Sequence, residues 1–372
     1  MSGAPASFLS ATRLPVRRRF WLLALLASVA LWSAEPQPAQ AQLGVGAVPP
    51  ASYFSSVGAY EAGDFRTALR GFQNEWQGAI KNGANRWIDS ICFHTMVGEC
   101  YYQMGSLPEA LDEFNAALNL FAVHSDWMMN IQFPATIRPA NAGKIAACPW
   151  GRTQRPAVLG DYPESYGMQQ GRINNNAVIQ KGGVVQQAMI VPVNYREILR
   201  CTTLALRRRR ELMGVVAKFD PLSNQILGSF TGATGRVIAP PGHWASVWAN
   251  LQAGLAYAAA GNDAQAYKLL EVGTYAGGEF VHPLTGTALF EMGRIELSHG
   301  RFEPAMVLFA EASYAAYQYG DSGVLEECFR YGQMAHLLAN KPGLYPPLVA
   351  ALKWTRSQPE YRHLFASLAV LI

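Results

Sequence analysis

Four stretches of this chain set a glycine, an alanine five residues later and a bulky apolar residue nine residues later. The glycines are Gly63, Gly105, Gly261 and Gly300; the alanines are Ala68, Ala110, Ala266 and Ala305; the bulky residues are Phe72, Phe114, Leu270 and Phe309. Three copies carry a second glycine seven residues upstream, Gly98, Gly254 and Gly293, and two carry a tyrosine four residues upstream, Tyr101 and Tyr257. Small side chains at such intervals fit two antiparallel helices in close contact, because a larger group at the crossing point would push the axes apart. Around Gly105 the set Leu107, Ala110, Leu111, Phe114, Ala117, Leu118 and Phe121 recurs at helical spacing and makes one apolar stripe. Gly105 suits the left-handed end of a first helix, and Pro108 tolerates the first turn of a second. One hairpin cannot bury both of its faces, so neighbours must stack.

This pattern resembles the tetratricopeptide repeat, over about half of the chain that follows the leader. It departs where the family's tryptophan is replaced by His94, Asn250 and Leu289, and its spacing is long, with 42 residues from Gly63 to Gly105 and 39 from Gly261 to Gly300. The resemblance implies an all-α, helical-hairpin solenoid whose concave groove grips a peptide or protein. First-helix residues beside the packing positions, Glu99, Gln103, Gln252 and Arg294, are the implied partner contacts.

The segments follow from composition. Residues 1–41 read as a cleaved export signal: Arg13 and Arg17–Arg19, an apolar run from Phe20 to Trp32, then Ala39-Gln40-Ala41. An uncleaved anchor is the alternative, and RRRFW also resembles a twin-arginine leader. Hairpins are expected over 42–124. An irregular insertion rich in Pro, Gly and Asn follows over 125–194, in which VVQQAMIVPV suggests a short strand or two. Helices and further hairpins should fill 195–340, with Ser322–Asn340 as the first helix of another pair, and capping helices should fill 341–372. The chain carries a formal net charge of +4, and the leader holds four of the arginines and one glutamate. The remainder is therefore nearly neutral, which argues against nucleic-acid binding.

Chemistry-bearing patterns are scarce. The seven histidines are scattered, no HExxH or cysteine–histidine finger spacing occurs, and neither metal nor cofactor is expected. GxSxG is absent, and the glycines of Gly228–Val237 lack the lysine of a phosphate loop, which leaves a turn-rich loop. The five cysteines (Cys92, Cys100, Cys148, Cys201, Cys328) read as buried thiols; export permits disulfides, although an odd count leaves at least one thiol unpaired. Arg207–Arg210 fan around a helix and read as solvated side chains covering apolar neighbours. Trp127 and Trp150 flank the insertion, either packed in the core or exposed for stacking.

A non-catalytic exported scaffold is the leading expectation, in the periplasm, envelope or extracellular space and without a stable membrane span. One rival is a glycan-binding protein resembling the partners of outer-membrane sugar importers, using Trp127 and Trp150. The other is an enzyme built on Asp126, Asp161, Glu164 and Tyr166 of the insertion.

Overall fold

The computed structural model describes residues 46–82, 85–144, 146–170 and 189–372. The export signal read at 1–41 and residues 171–188 of the insertion lie outside them. The described residues form thirteen α-helices and seven short strands. The helices before the insertion are α1 (Ala51–Glu61), α2 (Phe65–Gly78), α3 (Ser90–Gln103) and α4 (Leu107–Val123). After it come α5 (Tyr195–Met213), α6 (Pro221–Thr231), α7 (Ser246–Ala259), α8 (Asp263–Val272), α9 (Thr285–Ser298), α10 (Phe302–Gln318), α11 (Ser322–Leu338), α12 (Pro346–Thr355) and α13 (Arg362–Ala369).

One turn chemistry makes the hairpins. Gly63, Gly105, Gly261 and Gly300 all have φ between +74° and +82°, a region that costs other residues dearly. The residue after each glycine donates its N–H five residues back: Asp64 to Ala59, Ser106 to Tyr101, Asn262 to Tyr257 and Arg301 to Glu296, at 2.9–3.0 Å. That is the Schellman closure of the first helix. The same residue then opens the next helix; the Asp64 and Asn262 side chains accept from the N–H groups of Thr67 and Gln265 at 3.1 Å. A fifth turn, Gly320–Asp321, repeats the geometry between α10 and α11 (φ +69°, with Asp321 N to Ala316 O at 3.0 Å).

Packing inside each hairpin runs through the residues of the repeated pattern, in two ways. A Cβ on Gly98 would lie 2.9 Å from the Phe114 ring, and one on Gly293 would lie 2.6 Å from the Phe309 ring. In these two hairpins the upstream glycine therefore opens a slot for the phenyl group of the second helix. In the third hairpin a Cβ on Gly254 would sit 3.2 Å from the Ala266 carbonyl, so there the backbones themselves approach. Ala110, Ala266, Ala305, Phe114, Leu270 and Phe309 are fully buried. Each such side chain contributes roughly 1.5–3 kcal/mol, less for alanine. Tyr101 and Tyr257 are half-buried beside these contacts.

The insertion contains short strands. β3 (Arg138–Lys144) pairs antiparallel with β4 (Val158–Asp161), which pairs parallel with β7 (Phe280–Val281). β5 (Tyr166–Gln170) pairs antiparallel with β6 (Met189–Val193), which overlaps the strand expected in VVQQAMIVPV. A two-stranded ribbon of β1 (Lys81–Asn82) and β2 (Asn85–Arg86) precedes α3. The insertion packs on the helices through Trp150, whose indole N–H donates to Ser313 Oγ at 2.9 Å and whose ring meets Phe329 and Trp354 edge-on. Gly228–Val237, expected to be a loop throughout, is helical up to Thr231, where α6 ends.

Neighbouring helices touch along the chain, α5 and α6 through the short helical turn Gly214–Phe219 between them. The His363 ring of α13 lies 6.3 Å from the Phe65 ring of α2, and its Nδ1 sits 3.5 Å from where a Gly63 Cβ would be. The last helix thus touches the first hairpin at this point, while α5 packs against α3, α4 and α7. No helix among the described residues is long and apolar enough to cross a membrane.

Candidate functional site: the central helix and its acidic surround

α5 starts where the Asn194 side chain accepts the Glu197 N–H at 3.0 Å, and it ends at Gly214, φ +54°. Most of its residues are buried, including Arg207, Arg208 and Arg209. The solvated reading of the arginine run is thereby overturned. The four arginines do fan around the helix, but all four turn toward packed neighbours rather than solvent.

Arg208 reaches α3, where Nε and Nη2 bind the two Glu99 oxygens at 3.0 and 2.9 Å. Its Nη1 donates to Glu327 of α11 and to Glu211, both at 2.9 Å. Arg207 donates from Nε to Glu291 of α9 at 2.9 Å and from Nη2 to Glu327. Arg210 and Arg294 both bind Glu291, at 3.0 and 3.1 Å. Arg209 turns the other way, to Asn115 of α4 at 2.7 Å, Ser223 of α6 at 2.8 Å and Asp220. Four arginines (207, 208, 210, 294) thus meet four glutamates (99, 211, 291, 327), so this part of the cluster is charge-neutral. Phe290 and Tyr102 lie under the guanidinium groups of Arg207 and Arg208, at 4.9 and 4.4 Å.

Charged groups removed from water need this degree of pairing. Burial works to raise the Glu99 carboxyl, but the Arg208 guanidinium outweighs it and holds that group below the ordinary carboxylate range. Burial likewise opposes ionisation of Glu291, and Arg294, Arg207 and Arg210 together bring it down to about 2. Arg208 is held well above its usual value: burial lowers it, and Glu99 and Glu327 more than compensate.

The implied groove residues converge on this helix. Glu99 and Arg294 are members of the cluster. Gln252 of α7 is buried and donates to the Leu199 carbonyl and Thr203 Oγ1 of α5, both at 3.3 Å. Gln103 is exposed at the rim and donates to Glu99 and to the Tyr60 hydroxyl, both at 3.2 Å. From α1, Tyr53 donates to Glu197 of α5. Helices α1, α3, α7, α9 and α11 thus all present polar side chains to one helix of their own chain. Sequence reading placed a helix over Asn194–Phe219, where α5 lies, but missed Glu291, Glu327 and the central position of that helix. The signal for Glu291 was a carboxylate within the apolar run ALFEMG; Glu327 sits beside Glu326 with no such mark, and α5 carries no motif.

The insertion's candidates fall elsewhere. Trp127 and Trp150 are 1% and 7% exposed, so both are core residues. Asp161 and Glu164 are exposed, and Tyr166 stacks on Tyr195 with centroids 5.1 Å apart. Asp126 sits ahead of the short helical turn at Trp127–Asn130. The hollow nearby is lined by Met128, Met129, Ile131, Phe133, Pro240 and His243. His243 Nε2 donates to the Pro134 carbonyl at 3.0 Å and Nδ1 accepts the Ala245 N–H at 3.2 Å, which occupies both ring nitrogens. Among the described residues no three His, Cys, Asp or Glu side chains are grouped to hold a metal ion.

No known family model matches the chain, and no curated protein matches it significantly.

Proposed function

We propose that this chain is a non-catalytic, exported interaction scaffold built of tetratricopeptide-like hairpins, and that its outer helices rather than its groove receive a protein partner. The supporting observation is the convergence of Glu99, Gln252, Glu291 and Glu327 on α5. In repeat proteins the inner helix faces commonly grip a foreign segment. Here a helix of the same chain fills that place, with its charges matched. A groove ligand would have to strip several buried ion pairs at once, which is costly. The exposed surfaces of the second helices α2, α4 and α8, and of the N-terminal turns of α10 that the insertion leaves uncovered, stay free for a partner, and the leader at 1–41 would place the protein beyond the cytoplasm.

Hydrogen exchange on the protein with and without a partner captured from envelope extract tests this reading. Protection on α2, α4, α8 or α10 with α5 unchanged supports it. Protection on α3, α7 and α9 with faster exchange in α5 would instead return the groove to use by displacement. Turnover of a substrate by the purified chain would remove the scaffold reading altogether. The glycan reading loses its two tryptophans to the core, and the enzyme reading is left with Asp161 at the end of β4 and Glu164 just beyond it, both exposed.

A further inference from the structure

Cys92 lies on α3 and Cys201 on α5, both fully buried. The helices α3 and α5 pack on each other here, and burial first, then the neighbouring Cys201 thiol, raises the Cys92 thiol. One turn beyond Cys92, Thr95 Oγ1 donates to the Cys201 carbonyl at 3.3 Å, so the two backbones approach at this level. The Tyr53 hydroxyl lies 3.6 Å from the Cys201 sulfur, and Glu197 Oε1 lies 3.4 Å from it. Cys148 keeps different company, near the Tyr314 carbonyl and Gln318 of α10.

We propose that Cys92 and Cys201 form a disulfide that staples the central helix to α3. The two thiols release two protons, and two electrons pass to a disulfide of the glutathione or thiol–disulfide oxidoreductase class. One S–S bond forms in the protein as the donor's S–S bond is reduced to two thiols. Losing the Cys201 thiol proton orphans nothing, because Glu197 keeps Arg200, at 2.6 and 2.7 Å, and the Tyr53 hydroxyl. The bond closes a loop of about 110 residues that spans α4 and the insertion, and constraint of the unfolded chain grows with loop length. Burial pushes the Cys92 thiol well above its usual value, so the reactive thiolate is scarce once the site is sealed. The staple therefore forms while α5 is docking. That an oxidant is met in the cell rests on the export reading; the pairing itself does not.

The test is refolding of the full chain from denaturant in oxidised and reduced glutathione, followed by alkylation in denaturant and peptide mapping. Of the five cysteines, three should be alkylated, and a reductant-sensitive peptide pair should join Cys92 to Cys201. Cys92→Ser or Cys201→Ser should abolish that pair, whereas Cys100→Ser should leave it intact. Five alkylated thiols in the refolded protein, or a link through Cys100, Cys148 or Cys328, would overturn the proposal. Should a serine variant fail to fold, the map of the unaltered chain decides alone. A linked pair in vitro with five free thiols in protein recovered from cells would sink only the export reading.

Discussion

Arg208 holds Glu99 by two parallel hydrogen bonds, at 3.0 and 2.9 Å, across more than a hundred residues of chain. This fork joins the central helix to the hairpin that carries the clearest repeat sequence. Bidentate geometry and burial make it the least replaceable contact of the cluster.

Glu99→Gln should lower the free energy of unfolding by about 3–5 kcal/mol, because it leaves a buried guanidinium short of its partner. Replacing both ends, Glu99→Leu with Arg208→Met, should cost distinctly less than the single change. Urea denaturation of the three proteins measures this. A double variant no better than the single one would mean that Arg208 is held mainly by Glu327 and Glu211.

Acid should loosen the centre through Glu291. Its carboxyl is depressed from 4.5 to about 2, so its ionisation contributes stability that is complete above the unfolded value and lost as pH falls through about 2. The difference corresponds to roughly 3 kcal/mol. Thermal melts between pH 5 and pH 2 should show a steeper decline for the native chain than for Glu291→Gln; parallel curves would refute the assignment.

Asp89 has the opposite sign. Burial raises its carboxyl to about 6 against the backbone N–H of Ile80, and Oδ1 has no hydrogen-bond partner. A raised carboxyl favours the fold fully only below its unfolded value of 3.8, and that benefit is gone once pH has risen through about 6. Asp89→Asn should therefore stabilise the protein at pH 8 by up to roughly 3 kcal/mol and leave it unchanged near pH 3. Equal effects at both pH values would count against a buried, reluctant acid.

Two glycine changes should move stability in opposite directions. Gly293→Ala drives a methyl group to 2.6 Å from the Phe309 ring and should cost on the order of 1–3 kcal/mol. Gly228 in α6 has nothing within 4 Å of a new methyl group, so Gly228→Ala should gain about 0.5–1 kcal/mol. Calorimetric melting of both variants checks the pair, and a destabilised Gly228→Ala would contradict the open space beside α6.

The hairpins were legible because their turns demand something only glycine supplies easily. Gly63, Gly105, Gly261 and Gly300 announce a left-handed residue, and the bulky side chain nine residues later announces what packs against the first helix. The turn at Gly320–Asp321 uses the same geometry, yet the following helix had been read without it. Pairing over long separations was not legible. Nothing near Arg207–Arg210 hints that the matching acids come from α3, α9 and α11, so a run of charge read as solvent-facing when it is the hub. Trp127 and Trp150 fail as exposed rings for a related reason: an irregular segment can fold back and bury what it carries.

The meeting of His363 with Phe65 and Gly63 ties the last helix to the first hairpin. An open-ended array grows or shrinks by whole units, since each touches only its neighbours. Here a duplicated unit would have to part His363 from Phe65 or move α5 away from its neighbours. Added residues are therefore easier to place in the connecting loops than as another pair of rods.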